Sequence, residues 1–361
     1  MTHTHQHHEC SETMRSFLKA LPKCEHHVHL EGTLEPELLF SLAKRNNITL
    51  PDHFPKSKAE LTERYNNFSD LQDFLNFYYI GCAVLLSEDD FFDLAWSYFE
   101  RVAVNDGLAH SEAFFDPQSH TERGIDISVV IKGFKRACVK AEKELGISTK
   151  LIMCLLRHLP NEHGLQTIDQ AKEFIVNGDI HALGLDSAEK PFPPELFAEC
   201  YAKVKELNPE INLTAHGGEE GDHTYVSNSL DLLKTTRVDH GVNSVQSEEL
   251  LKRLSEERVL LSVCPMSNIK LQVFQNIHEI PLNTFLEFDV PFSLNSDDPA
   301  YFGGYILDNY VAVHENFGFK LPVWEKIVKN SIHGSWCHQE RKDEMLAQLA
   351  KVMEEYSTLL E

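Results

Sequence analysis

The chain has 361 residues, 42% apolar and with 22 Phe, enough for one large core or two modest ones. Its 33 basic and 56 acidic residues leave a formal charge of −23 that is spread along the chain. Such a surface repels phosphate backbones and anionic lipid, which argues against nucleic acid as a partner and admits a neutral or cationic small substrate.

Residues 1–15 open with MTHTHQHHEC and read as a mobile, His-rich N-terminal tail ahead of a single domain over 16–361. The first twenty residues lack the apolar segment of a signal peptide, and no apolar run is long enough to span a membrane. The eight Cys stand singly with no C-x-x-C pair, which points to reduced thiols and a cytoplasmic setting. Oligomeric state is not readable.

Apolar and β-branched runs predict strands at Cys24–Leu30, Ala109–Phe115, Lys150–Leu156, Ala182–Asp186, Ile211–His216, Val238–His240, Val259–Val263 and Pro291–Asn295. Helical spacing lies between them, as in Val130, Phe134, Ala137, Ala141 and Leu145, then Val226, Leu230 and Leu233, then Leu250, Leu251 and Leu254. Alternating strand and helix requires parallel pairing, and eight such units fit an α/β fold, a closed (β/α)8 TIM barrel. An open doubly wound sheet fits less well, because no Gly-rich phosphate turn follows the first strand. Pro291 is an objection to the last strand, since proline cannot donate to a ladder. Residues 46–104 add helices between the first two strands, and the chain after Gly304 is helical throughout.

Polar residues collect where these strands end: His27-Val-His29-Leu-Glu31, then His216-Gly-Gly-Glu219, Asp239-His240-Gly241 and Asn295-Ser-Asp297-Asp298. Barrel enzymes place their chemistry at those ends. Strict alternation turns His27, His29 and Glu31 to one face, with Glu25 one layer deeper, and His26 toward the helices. Any one of these groups has a bland explanation: a packed histidine, or a turn before Pro299. Four strand ends converging on one rim would be costly in desolvation and repulsion, and a cation removes the cost. His27, His29, His216 and Asp297 therefore form a predicted Zn²⁺ site, one ion per chain, with a position open for water. The order P-C-x-x-C of cytidine-deaminase-type zinc sites is absent, since Cys264-Pro265 runs the other way. Zinc brings the pKa of a bound water to about 7. His240 would assist that water, Glu219 would donate a proton, and Asp298 would accept a substrate N–H. The implied reaction is metal-assisted hydrolysis at an sp² carbon.

The motifs EHHVHLEGT, LDSAEKPFPP, AHGGEEGD, VDHGVNS, CPMSNIKLQ and LNSDDPAYFG, from Pro22 to about residue 340, resemble the adenosine/adenine deaminase family of the amidohydrolase superfamily. The resemblance implies a mononuclear zinc barrel that removes the purine C6 amino group. It implies His27, His29, His216 and Asp297 as ligands, Glu219 as proton donor to N1, His240 aiding the hydroxide and Asp298 on the imidazole edge. It also implies a nuclear as well as cytoplasmic location and a role in purine salvage. Adenosine deaminases typically read HLDG after the paired histidines, whereas this chain reads HLEGT, similar to the adenine deaminases of fungi and bacteria. Ala188 stands where that branch often has Ser. A longer carboxylate at Glu31 would reach into the space of a ribose and accept the N–H of a free base. The expected function is adenine aminohydrolase, giving hypoxanthine and ammonia. The alternatives are an adenosine or modified-adenine deaminase, and a catalytically dead zinc-binding interaction protein.

Overall fold

A computed structural model describes residues 5–360. Eight parallel strands form one sheet in sequential order: β1 (Lys23–Glu25), β2 (Leu108–Phe115), β3 (Ser148–Leu156), β4 (Ala182–Asp186), β5 (Asn212–Gly217), β6 (Arg237–His240), β7 (Leu260–Val263) and β8 (Phe292–Leu294). With helices following the strands, this is the expected (β/α)8 barrel. The barrel closes at its rim, where Asp297 N–H donates to His27 O at 3.0 Å and His29 N–H to Asp297 O at 2.9 Å. Pro291 stands just outside β8, contributing only its carbonyl, which accepts Leu261 N–H at 3.0 Å. The proline is thus placed where a missing donor costs nothing.

The N-terminal stretch departs from expectation. Residues 1–4 of the expected tail lie outside the described residues, but His8 N–H donates to Glu315 O at 2.7 Å. Helix α1 (Glu12–Ala20) then begins inside the range 1–15, capped by the Ser11 side chain and burying Met14, Phe17 and Leu18. Helix α2 (Pro36–Arg45) follows the first strand, and the insert supplies α3 (Lys58–Tyr65), α4 (Leu71–Cys82) and α5 (Glu88–Asn105). The last of these starts on a capping box in which Ser87 and Asp90 satisfy each other's backbone N–H. After Gly304 come helices at Ile306–Phe317, Leu321–His333 and Gln339–Tyr356.

Most apolar burial lies between barrel and helices. The predicted stripe Val130, Phe134, Ala137 and Ala141 is buried on a helix over Ile127–Leu145. The barrel interior holds a smaller apolar layer: Phe114, Ile152 and Ala182 lie opposite one another on β2, β3 and β4, with Cys154 two residues further along β3 and Trp336 packed against the group. Below it Glu112 takes Arg237 Nη2 and His110 Nε2, both at 2.6 Å, and the Trp336 N–H. Arg237 also stacks over the Trp336 ring at 3.6 Å. The lower barrel is thus plugged, and the open end is the carboxyl rim.

Candidate active site

The first strand does not keep strict alternation. Glu25 pairs with Ser111 and His29 with Phe114, so four steps on one chain run against three on its neighbour. That extra residue is a bulge. Its consequence overturns two sequence expectations. His26 faces the barrel interior rather than the helices, bonded to Ser293 Oγ at 2.8 Å and Ser335 Oγ at 2.7 Å. Glu25 points outward rather than into the barrel, accepting Tyr98 Oη–H from α5 at 2.6 Å. Its other oxygen takes both Ser296 N–H and Ser296 Oγ–H at 2.9 Å, anchoring the residue that precedes Asp297.

The bulge leaves His27 and His29 on the rim as expected, and the structure brings His216 and Asp297 to them. Asp297 Oδ1 lies 3.3 Å from His27 Nε2 and 3.2 Å from His29 Nε2. Ligand atoms of His27, His29 and His216 all fall within 4.8 Å of one another. All four residues are buried, and His27 Nε2 has no hydrogen-bond partner. Imidazole lone pairs do not face an ionised carboxylate at such distances without a proton or cation between them, so the donor set fits a small cation with nitrogen and oxygen ligands.

Further polar groups orient this set. His27 Nδ1 is 3.0 Å from Ser262 Oγ, which donates to Asp239 Oδ1 at 2.9 Å. Asp239 Oδ2 stands 3.4 Å from His216 Nδ1, and Asp186 Oδ2 stands 3.5 Å from His29 Nδ1. Ser267 Oγ–H donates to Asp297 Oδ2 at 2.7 Å. Partners on the far ring nitrogen hold each histidine with its other nitrogen turned to the cation site. Residues at the strand ends carry left-handed backbone, with φ of 67° at His240 and 65° at Asp297. Non-glycine residues adopt that region at a cost, and such strain concentrates at functional sites.

Glu219 and His240 meet at the same rim, His240 Nε2 lying 3.1 Å from Glu219 Oε2 and 3.7 Å from Asp297 Oδ2. Gly218 turns the chain at φ 74° to bring Glu219 over the cleft. Glu189, not singled out from the sequence, accepts the backbone N–H groups of Gly218, Glu219 and Glu220 at 2.8, 2.9 and 2.7 Å. Burial first, and then the charges of Asp297, Glu189 and Glu220, push the Glu219 carboxyl well above the usual carboxylate range. A neutral acid placed to give up a proton is the result. Asp298 Oδ1 is buried without a partner on the cleft wall. Gly32 lets it sit there, because a Cβ on residue 32 would come within 2.8 Å of the Asp298 Cα.

Glu31 behaves differently from expectation. A 3-10 turn over Leu30–Thr33 takes it off the strand pattern, and it does not line the cleft. One carboxylate oxygen accepts Asp116 N–H at 2.9 Å and meets His120 Nε2, from a short helix over Gln118–Thr121, at 2.8 Å. Cleft-lining Asp116 and Asp186, with Asp239, Ser262 and Ser267 behind the metal set, were the site residues missed. Asp116 and Ser262 show in the sequence only as polar groups at or near the end of an apolar strand, while Asp186, Asp239 and Ser267 stand inside the motifs LDSAEKPFPP, VDHGVNS and CPMSNIKLQ.

The cleft above these groups has a volume of about 210 Å³. Pockets that take drug-sized ligands run to roughly 300–1,000 Å³, so this one suits a smaller molecule. One wall is α4, which contributes Leu71, Phe74, Leu75, Tyr78 and Tyr79, and Leu271 and Val273 face it.

A parallel barrel with imidazoles and carboxylates gathered on its carboxyl rim defines the amidohydrolase class of enzyme. Within that class, the sequence model of the family described as Adenosine deaminase matches residues 22–352, and the chain belongs to that family. It is 62% identical to an adenine deaminase of Candida albicans over 97% of this chain and 98% of the relative. It is 61% identical to an adenine deaminase of Saccharomyces cerevisiae, over 94% of this chain and 98% of that one. Among solved structures, an adenine deaminase from Arthrobacter aurescens superposes with a TM-score of 0.87 at 38% identity, covering 92% of this chain and 99% of that chain.

Proposed function

We propose that this protein is an adenine aminohydrolase that holds one Zn²⁺ through His27, His29, His216 and Asp297 and serves purine salvage in the cytoplasm. The observation that carries the metal is the spacing of 3.2–3.3 Å between Asp297 Oδ1 and two imidazole nitrogens. Ligands about 2.0–2.1 Å from a tetrahedral zinc stand about 3.3 Å apart. Zinc, when bound, supplies Lewis acidity that activates water near neutral pH.

The chain's own residues do the rest. Glu219, kept neutral by its surroundings, donates its proton to ring N1 as the water oxygen adds at C6. His240 Nε2, between Glu219 and Asp297, orients that water and receives its proton. Asp298, whose carboxyl is held well above the usual carboxylate range by burial and by the Asp297 charge, gives a hydrogen bond to N7 and sets the ring angle. His240 then passes its proton to the amino group, the C6–N bond breaks and ammonia leaves, while the C6 hydroxyl returns a proton to Glu219, giving hypoxanthine. The adenine deaminases related to this chain over nearly its full length support the base as substrate, as does the small cleft.

An ultraviolet assay with adenine and adenosine side by side tests the substrate, and faster turnover of adenosine overturns the proposal. Dialysis against a chelator tests the metal: activity should be lost and return with added Zn²⁺. Unchanged activity after complete metal removal refutes metal-assisted chemistry.

A further inference from the structure

Asp116 follows directly on β2 at the carboxyl rim. It is 4% exposed, lines the cleft, and has no hydrogen-bond partner at Oδ1. Its backbone is pinned from behind: Glu31 accepts the Asp116 N–H, His120 meets the same Glu31 oxygen, and Arg123 Nη2 lies 2.8 Å from His120 Nδ1. Asp186, at the end of β4, stands close enough to interact directly with the Asp116 carboxyl, which burial first and then Asp186 push well above the usual carboxylate range; the other Asp186 oxygen lies beside His29. A carboxyl on a cavity wall, with an oxygen that no protein donor reaches, can take its partner from the ligand.

The rim indicates which part of the ligand that is. Glu219 and His240 stand on the β5 and β6 side, and Asp298 follows β8. A purine with N1 toward Glu219 and its N7 edge toward Asp298 turns the C2, N3 and N9 edge to the opposite arc, the ends of β2, β3 and β4. That arc presents Asp116, Leu156 and Asp186 to the cleft. In a free base the edge carries an N–H at N9; in a nucleoside N9 carries the sugar instead.

We infer that Asp116 is the specificity-determining residue: its carboxyl accepts the N9–H of the free base, and Glu31, through the Asp116 backbone, is its positioning residue. A nucleoside loses this bond and drives a sugar carbon against a buried carboxylate, a pairing that discriminates strongly. This role for Asp116 rests on adenine being the substrate.

Two substitutions test it with adenine and 9-methyladenine, which lacks the N9–H. Asp116→Leu keeps the branching but removes the acceptor, and Asp116→Asn keeps one neutral acceptor oxygen. From the cost of leaving a buried N–H without an acceptor, kcat/KM for adenine should fall about 10–10²-fold in the first and by less in the second, which keeps an acceptor. For 9-methyladenine both variants should change less than about threefold, in kcat/KM or, for slow turnover, in its inhibition constant against adenine. Equal losses on the two compounds, or an unchanged value for adenine, overturn the role of Asp116. Failure of the unsubstituted protein to deaminate adenine overturns the substrate assignment beneath it, so the two failures are distinct.

Discussion

Replacing Glu189 by Gln probes how the proton donor is held. The carboxylate accepts three backbone N–H groups, one on Oε1 and two on Oε2. Gln keeps a single acceptor oxygen. In its better orientation that oxygen retains Glu219 and Glu220 N–H, and the new amide NH₂ faces the Gly218 N–H with nothing to accept it. An unsatisfied buried donor costs about 1–3 kcal/mol, and weakening two charge-assisted bonds to neutral ones adds about 1 kcal/mol. We expect about 3 kcal/mol in all. With unfolding entropy near 2.1 cal/mol/K per residue over 361 residues, that lowers Tm by about 4 °C. A loosened loop also misplaces Glu219 against N1, so kcat should fall about 10–10²-fold with KM little changed. Calorimetry and steady-state assays at fixed metal content read both effects. An unchanged Tm and kcat would refute the claim that Glu189 fixes the proton donor.

Glu219→Gln should keep its metal, by metal analysis, while turnover falls about 10²–10⁴-fold, the usual span for general acid catalysis; near-normal turnover removes Glu219 from the mechanism. A pH profile gives a second check on the same group. Because burial and neighbouring charges raise its pKa, the active protonated form persists above the ordinary carboxylate range and is lost as pH rises through the raised value. Glu220→Gln removes one of those charges and should move the alkaline limb of kcat to lower pH; a limb that does not move contradicts the assignment. Gly32→Ala should raise KM for adenine about tenfold or more and cost about 1–3 kcal/mol of stability, because the new methyl meets the Asp298 backbone, which cannot step aside. An unchanged KM shows that Asp298 does not hold substrate.

Much of this protein was legible before any fold was in hand. Alternating apolar runs mark all eight strands to within two or three residues, apart from the far end of the first, because buried parallel strands must be continuous and apolar. The metal set and Glu219 stood out for the same reason: imidazoles and carboxylates at four strand ends are unexpected unless something binds them. What the pattern could not contain was the bulge in the first strand, since one extra residue inverts, on one side of it, the facing assigned by counting in twos from the other. That error exchanged the surroundings of Glu25 and His26. A local turn, likewise invisible to counting, took Glu31 out of the cleft. Glu189 and Asp116 needed tertiary structure most. Their neighbours in sequence say nothing of the loop one supports or the cavity the other faces, because a buried carboxylate takes its role from the donors that other segments bring to it.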